Sequence, residues 1–137
     1  GFIAAKEALG HCVEVVGVVS EKADAYASSW ESRKRVSTLN ANTIADGLAV
    51  REPSVEALNY ISSRVLRIIR VSETDIIQAT KVLLSDTHNL VEPAGAASLA
   101  GLMKEQSEMI GRRVGVVLTG SNIDQITLTK IISYGGS

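Results

Sequence analysis

The sequence runs to 137 residues, 45% of them hydrophobic, with a formal net charge of -1. That length and composition suit one ordinary globular domain, and the near-neutral balance gives no electrostatic ground for a nucleic-acid or anionic-membrane partner. No stretch approaches the roughly 20 apolar residues of a membrane span and no signal-peptide layout is present, so the expected location is the cytoplasm.

In chain order, the apolar run Phe2–Leu9 predicts a short helix that Gly10 stops. Gly1-Phe2-Ile3-Ala4-Ala5-Lys6, with no initiator methionine, reads as the interior of a longer product. His11 and His88 stand alone, without metal-ligand spacing around them. The single cysteine, Cys12, has no internal disulfide partner. Because it opens the apolar run Val13–Val19, a small buried residue is expected there. That run is β-branched and nearly continuous, the pattern of a strand covered on both faces. Glu31-Ser32-Arg33-Lys34-Arg35 carries both signs of charge and predicts a solvated helix end.

Further along, Ser54–Val65 places Val55, Leu58, Ile61 and Val65 on one helical side, with Pro53 just before it. Leu66–Val71 predicts a second strand. Ser72-Glu73-Thr74-Asp75 has the layout of an N-cap with an acid three residues on. The helix it opens should bury Ile76, Ala79, Leu83, Thr87 and Leu90. Ala94–Lys104 is a small-faced helix suited to close packing on a sheet, Val114–Leu118 a third strand, and Ile123–Ile132 a last helix. Strands alternating with helices argue an α/β domain with parallel strands. Three strands make a thin sheet, and the missing ones fit a missing N-terminal portion.

Three segments carry a resemblance. Asn42-Thr43-Ile44-Ala45-Asp46-Gly47-Leu48-Ala49-Val50 looks like a T-I-A-D-G segment, Asn89-Leu90-Val91-Glu92-Pro93-Ala94-Gly95-Ala96-Ala97 like V-E-P-A-G-A, and Val116-Val117-Leu118-Thr119-Gly120-Ser121-Asn122-Ile123-Asp124 like V-V-L-S-G-G-N-x-D. Each is weak alone. In this order and spacing they resemble the pyridoxal-phosphate-dependent serine/threonine dehydratases (threonine ammonia-lyases), over essentially the whole chain. The resemblance implies that residues 1–137 are the C-terminal portion of the large cofactor-binding domain, a partial fold-type-II architecture with parallel strands flanked by helices. Gly17-Val18-Val19 matches the strand after the phosphate loop, and Gly1-Phe2-Ile3 looks like the tail of that loop.

The implied cofactor-binding residues are Gly1, Gly47, Glu92 and Thr119, with pyridoxal phosphate as the cofactor of the complete enzyme. Thr119 matches a residue facing the pyridine nitrogen. A hydroxyl there can donate to a neutral ring nitrogen but cannot hold it protonated as a carboxylate would, which favours prompt β-elimination. Glu92 would lie near the ring, and Gly47 would let the backbone approach the cofactor closely. Without the resemblance, Glu92 is an acid satisfying a helix dipole, Gly47 a turn glycine, and Thr119 with Ser121 a helix-capping pair.

The lysine that bonds the cofactor as a Schiff base lies in an S-F-K-x-R-G-like motif. Lys6, Lys22, Lys34, Lys81, Lys104 and Lys130 lack such surroundings, so no catalytic residue is assigned. These residues alone are expected to be inactive and not to hold the cofactor stably. Positions matching a divalent-cation site in some relatives are Val19 and Ala25, which have no ligating side chain, so no metal site is expected. The implied activity of the parent protein is elimination of water from a β-hydroxy amino acid to give a 2-oxo acid and ammonia. The alternatives are a serine racemase or β-replacement enzyme of the same fold, or a non-catalytic module that self-associates. An uncovered sheet edge and apolar helix faces argue for a homo-oligomer; a small amino acid is the expected substrate, with no nucleic acid and no membrane as partner.

Overall fold

The β-branched runs around Val18 and Ile69 meet as neighbouring parallel strands in the computed structural model, which describes residues 1–135. Helix α1 (Phe2–Ala8) precedes strand β1 (Val16–Ser20). Helices α2 (Ala25–Ser32) and α3 (Val55–Ile61) lead to β2 (Arg67–Val71), followed by α4 (Glu73–Thr87), α5 (Pro93–Lys104) and α6 (Gln125–Ser133). Single 3-10 turns occupy Glu21–Ala23 and Asp46–Leu48. The register runs from Val16 opposite Arg67 to Ser20 opposite Val71. Parallel pairing needs a long crossover, here supplied by the segment carrying α2 and α3.

Small residues let the layers close. A Cβ on Gly101 of α5 would lie 2.8 Å from Val18 Cγ2, so the helix rests on β1 at a distance that a side chain would obstruct. The core gathers Val71, Ile76, Ala79, Leu83, Val91 and Ala96, joining β2, α4 and α5 around one apolar centre. On the opposite side Arg70 ties β2 to α2, its Nε donating to Asp24 Oδ2 at 2.9 Å and its Nη2 to Glu31 Oε2 at 2.8 Å. Those bonds raise the guanidinium's pKa and lower that of Glu31. Arg33, in the left-handed region at φ 56°, ends α2 with an exposed basic run, as expected for a solvated helix end. Among the described residues no helix is long and apolar enough to cross a membrane.

The α/β class with parallel strands flanked by helices is therefore observed, and several details differ. Val114–Leu118 is not a strand: it has no pairing partner among the described residues, and Val114, Val116, Val117 and Leu118 are 38% to 44% exposed. An apolar run becomes a strand only when another backbone meets its N–H and C=O groups. Here a cleft of about 1260 Å³ lies between this run and β1. Among the described residues the sheet thus has two strands, with β1 beginning at Val16 rather than Val13. Cys12, expected to be buried, is exposed because it precedes the strand and faces that cleft. Helix α4 opens with a complete capping box: Ser72 Oγ accepts from Asp75 N and Asp75 Oδ2 from Ser72 N. It buries Ile76, Ala79 and Leu83 as expected, but His88 turns left-handed at φ 55°, leaving Thr87 and Leu90 exposed. Of the face expected on α3, only Leu58 is buried.

Candidate cofactor site

Three loops converge where α5 begins. The first, Thr43–Leu48, drops Ala45 into the core, fully buried, and leaves Asp46 and Gly47 at the surface. The second is the N-terminus of α5, where Glu92 occupies the N-cap and Pro93 the first turn. Proline suits that position because its missing N–H would be unpaired there in any case. The third is Thr119–Asp124, after the unpaired apolar run. Glu92 N donates to Gly120 O at 3.1 Å, tying the second loop to the third.

Glu92 does not cap its own helix. Its Oε2 accepts from Asn122 N at 3.1 Å, so the carboxylate turns away from α5 toward the Thr119–Asn122 loop. The carboxylate still sits at the start of α5, where the helix dipole favours a negative charge, so its two expected roles are compatible. The glycines make that turn possible. A Cβ on Gly120, at φ +72°, would lie 2.3 Å from Glu92 Oε1. A Cβ on Gly47 would lie 3.0 Å from the Ala94 Cβ and 3.8 Å from Glu92 Oε1. Gly95 is the tightest point, since its Cβ would fall 1.5 Å from the Thr119 carbonyl oxygen.

Gly47, Glu92 and the Thr119 loop are thus brought together. Gly1 is placed elsewhere: it lines a hollow with Ala4, Ser54, Glu56 and Tyr60, beside α3. Gly95, Gly120 and Asn122 were not singled out from the sequence, although all lie inside the quoted motifs. Their part depends on backbone approach, for which glycine is the only sequence signal. On the far side of the third loop Asp124 accepts from Thr127 N at 2.8 Å and from Thr127 Oγ1 at 2.7 Å, which lowers its pKa and fixes the start of α6.

These residues fit one side of a flat, heteroaromatic cofactor. Thr119 is exposed, and none of the side-chain hydrogen bonds among the described residues uses its hydroxyl, which can both donate and accept. Gly47 and Gly120 leave room for the side chains of Ala94 and Glu92. Among the described residues, His, Cys, Asp and Glu side chains form no group of three or more able to hold a metal ion.

Residues 1–120 match the family described as pyridoxal-phosphate dependent enzymes. The chain belongs to that family. Pyridoxal phosphate is accordingly its cofactor class, and the family's relatives carry the resemblance further. The chain is 33% identical over 123 residues to an L-threonine ammonia-lyase of Geobacter sulfurreducens, covering 90% of the chain and 31% of that protein. It is 33% identical over 138 residues to a phenylserine dehydratase of Ralstonia pickettii, covering 98% and 42%. A threonine deaminase structure from T.th. superposes with a TM-score of 0.79 at 28% identity, covering 89% of this chain and 44% of that one. Maize serine racemase does so with 0.81 at 27%, covering 94% and 41%. These relatives support the serine/threonine dehydratase resemblance, and the chain spans less than half the length of each.

Proposed function

We propose that these residues form one wall of the active site of a dehydratase-like lyase, which converts a β-hydroxy amino acid to a 2-oxo acid and ammonia. The observation that carries the reading is the convergence of Gly47, Glu92 and the Thr119 loop at the start of α5, with the Thr119 hydroxyl exposed and unengaged among the described residues. Pyridoxal phosphate, when bound, supplies an electron sink for the substrate's α-carbon.

The chain's own residues do the rest of this wall's work. Thr119 would donate a hydrogen bond to the ring nitrogen, and a hydroxyl would leave that nitrogen unprotonated. Glu92 holds the Thr119–Asn122 loop through the Asn122 N–H, setting where the hydroxyl sits. Gly47 leaves room for the ring. No described hydrogen bond brings a lysine to this wall: Lys81 Nζ donates to Tyr134 O and Lys104 Nζ to Arg70 O. On this reading a lysine outside these residues moves the α-proton, and the residues by themselves are inactive.

The test uses the full-length protein with pyridoxal phosphate and a panel of serine, threonine, phenylserine and hydroxyaspartate. A 2-oxo acid should form, and Thr119→Ala should lower kcat by about tenfold or more while Thr119→Ser retains activity. Absence of lyase activity on every member overturns the reading. The superposition on maize serine racemase supports a second reading, racemisation at the same wall; D-serine in place of pyruvate as the product from L-serine would favour it.

A further inference from the structure

Glu73 is the first residue of α4, and its carboxylate accepts three hydrogen bonds from outside its own helix. Ser20 Oγ donates to Oε1 at 3.0 Å, Thr43 Oγ1 donates to Oε1 at 2.6 Å, and Ile44 N donates to Oε2 at 2.7 Å. The donors come from the end of β1 and from the start of the loop that carries Gly47. The network extends one bond further on each side. Ala45 N donates to Thr43 Oγ1 at 3.2 Å, and Lys22 N donates to Ser20 Oγ at 3.1 Å. Ser20 is fully buried, so its hydroxyl depends on these partners.

We infer that Glu73 is a positioning residue for the cofactor wall, acting through the Thr43–Gly47 loop; this rests on the function proposed above. The chain of contact is continuous. Glu73 fixes Thr43 and Ile44, the buried Ala45 follows, and two residues on Gly47 meets Ala94 and faces Glu92. Hydrogen bonds to a carboxylate are about twice as strong as neutral ones, and they hold the start of the loop alongside the core packing of Ile44, Ala45 and Leu48. Two features single out this acid. Asp75 already completes the capping box of α4, so Glu73 is not needed as a cap. Its two oxygens also divide the donors, Oε1 taking the two hydroxyls and Oε2 the Ile44 N–H, so Glu73→Gln takes the charge out of all three bonds and leaves the hydroxyls to accept from its NH₂ rather than donate.

The experiment has two arms on the full-length protein and its Glu73→Gln, Thr43→Val and Thr43→Ser variants. Thr43→Val leaves α4 chemically intact, so it separates loop anchoring from helix stability. In the first arm, amide hydrogen exchange at Ile44 and Ala45 should quicken by about tenfold or more in Glu73→Gln and Thr43→Val. Exchange in the middle of α4 should stay unchanged in Thr43→Val, and Thr43→Ser should restore protection. In the second arm, titration with pyridoxal phosphate, followed by its visible absorbance, should show a dissociation constant raised by about tenfold or more in the same two variants and restored by Thr43→Ser. Faster exchange with cofactor affinity within twofold of the parent would overturn the positioning role, as would unchanged exchange. A parent protein that takes up no pyridoxal phosphate at all would overturn the proposed function instead, and the exchange arm would still decide whether Glu73 anchors the loop.

Discussion

At the scale of single residues, the described glycine with the least room for a side chain is also the one most open to test. A Cβ on Gly95 would fall 1.5 Å from the Thr119 carbonyl oxygen, a backbone atom that cannot rotate away. Alanine normally stabilises a helix interior relative to glycine by roughly 0.5–1 kcal/mol. Overpacking costs about 1–3 kcal/mol, and here the clash should win. Gly95→Ala is expected to lose about 2 kcal/mol in urea unfolding, whereas Gly115→Ala, with nothing within 4 Å, should be close to neutral. A stabilised Gly95→Ala protein would show that the Thr119 loop does not rest on α5. At this scale Gly47, Glu92 and Thr119 were legible because chemistry-bearing residues stood in ordered motifs. Gly95 and Glu73 were not, since one acts by lacking a side chain and the other by reaching donors 29 to 53 residues away.

Among the elements, helices with strong end signals were read well. The Ser72 capping box and the small face of α5 both stand where the pattern put them. Strand Val114–Leu118 failed because apolar β-branched composition reports a preference for burial, and pairing is decided by what lies alongside. Strand β2 and the end of α5 are joined by Arg67 and Glu105, with Arg67 Nε to Glu105 Oε1 at 3.0 Å. The hydrogen bond from Arg67 lowers the carboxyl pKa of Glu105 below its ordinary 4.5. A depressed folded-state pKa contributes stability that is present above the unfolded value and lost as pH falls through the folded one. Because both partners are partly exposed, the contribution should stay under about 1 kcal/mol. From roughly pH 5 to about pH 3 the parent should therefore lose more stability than Glu105→Gln, measured as the difference in urea midpoints. Parallel pH profiles would remove this pair from the acid response.

For the molecule as a whole, the α/β class was legible from alternating periods, while the number of paired strands was not. The free edge of β1 faces a cleft of about 1260 Å³ whose other side is the exposed Val114–Leu118 run. Unpaired edges beside apolar surface invite association, and we expect these 137 residues, as an isolated chain, to sediment as a dimer or larger species. Val116→Lys, which places a charge on that surface, should shift the distribution toward monomer. A parent that sediments as a clean monomer at micromolar concentration would count against a role for this edge in self-association.

The parallel pairing of β1 with β2 also bears on how quickly the molecule forms. Partners such as Val16 and Arg67 are separated by about fifty residues of chain, so the loop-closure entropy must be met before the pair returns any enthalpy. Helices α4 and α5 are neighbours in sequence and can dock early. The strand pair is left as the late step, and any intermediate lacking it exposes two apolar edges at once.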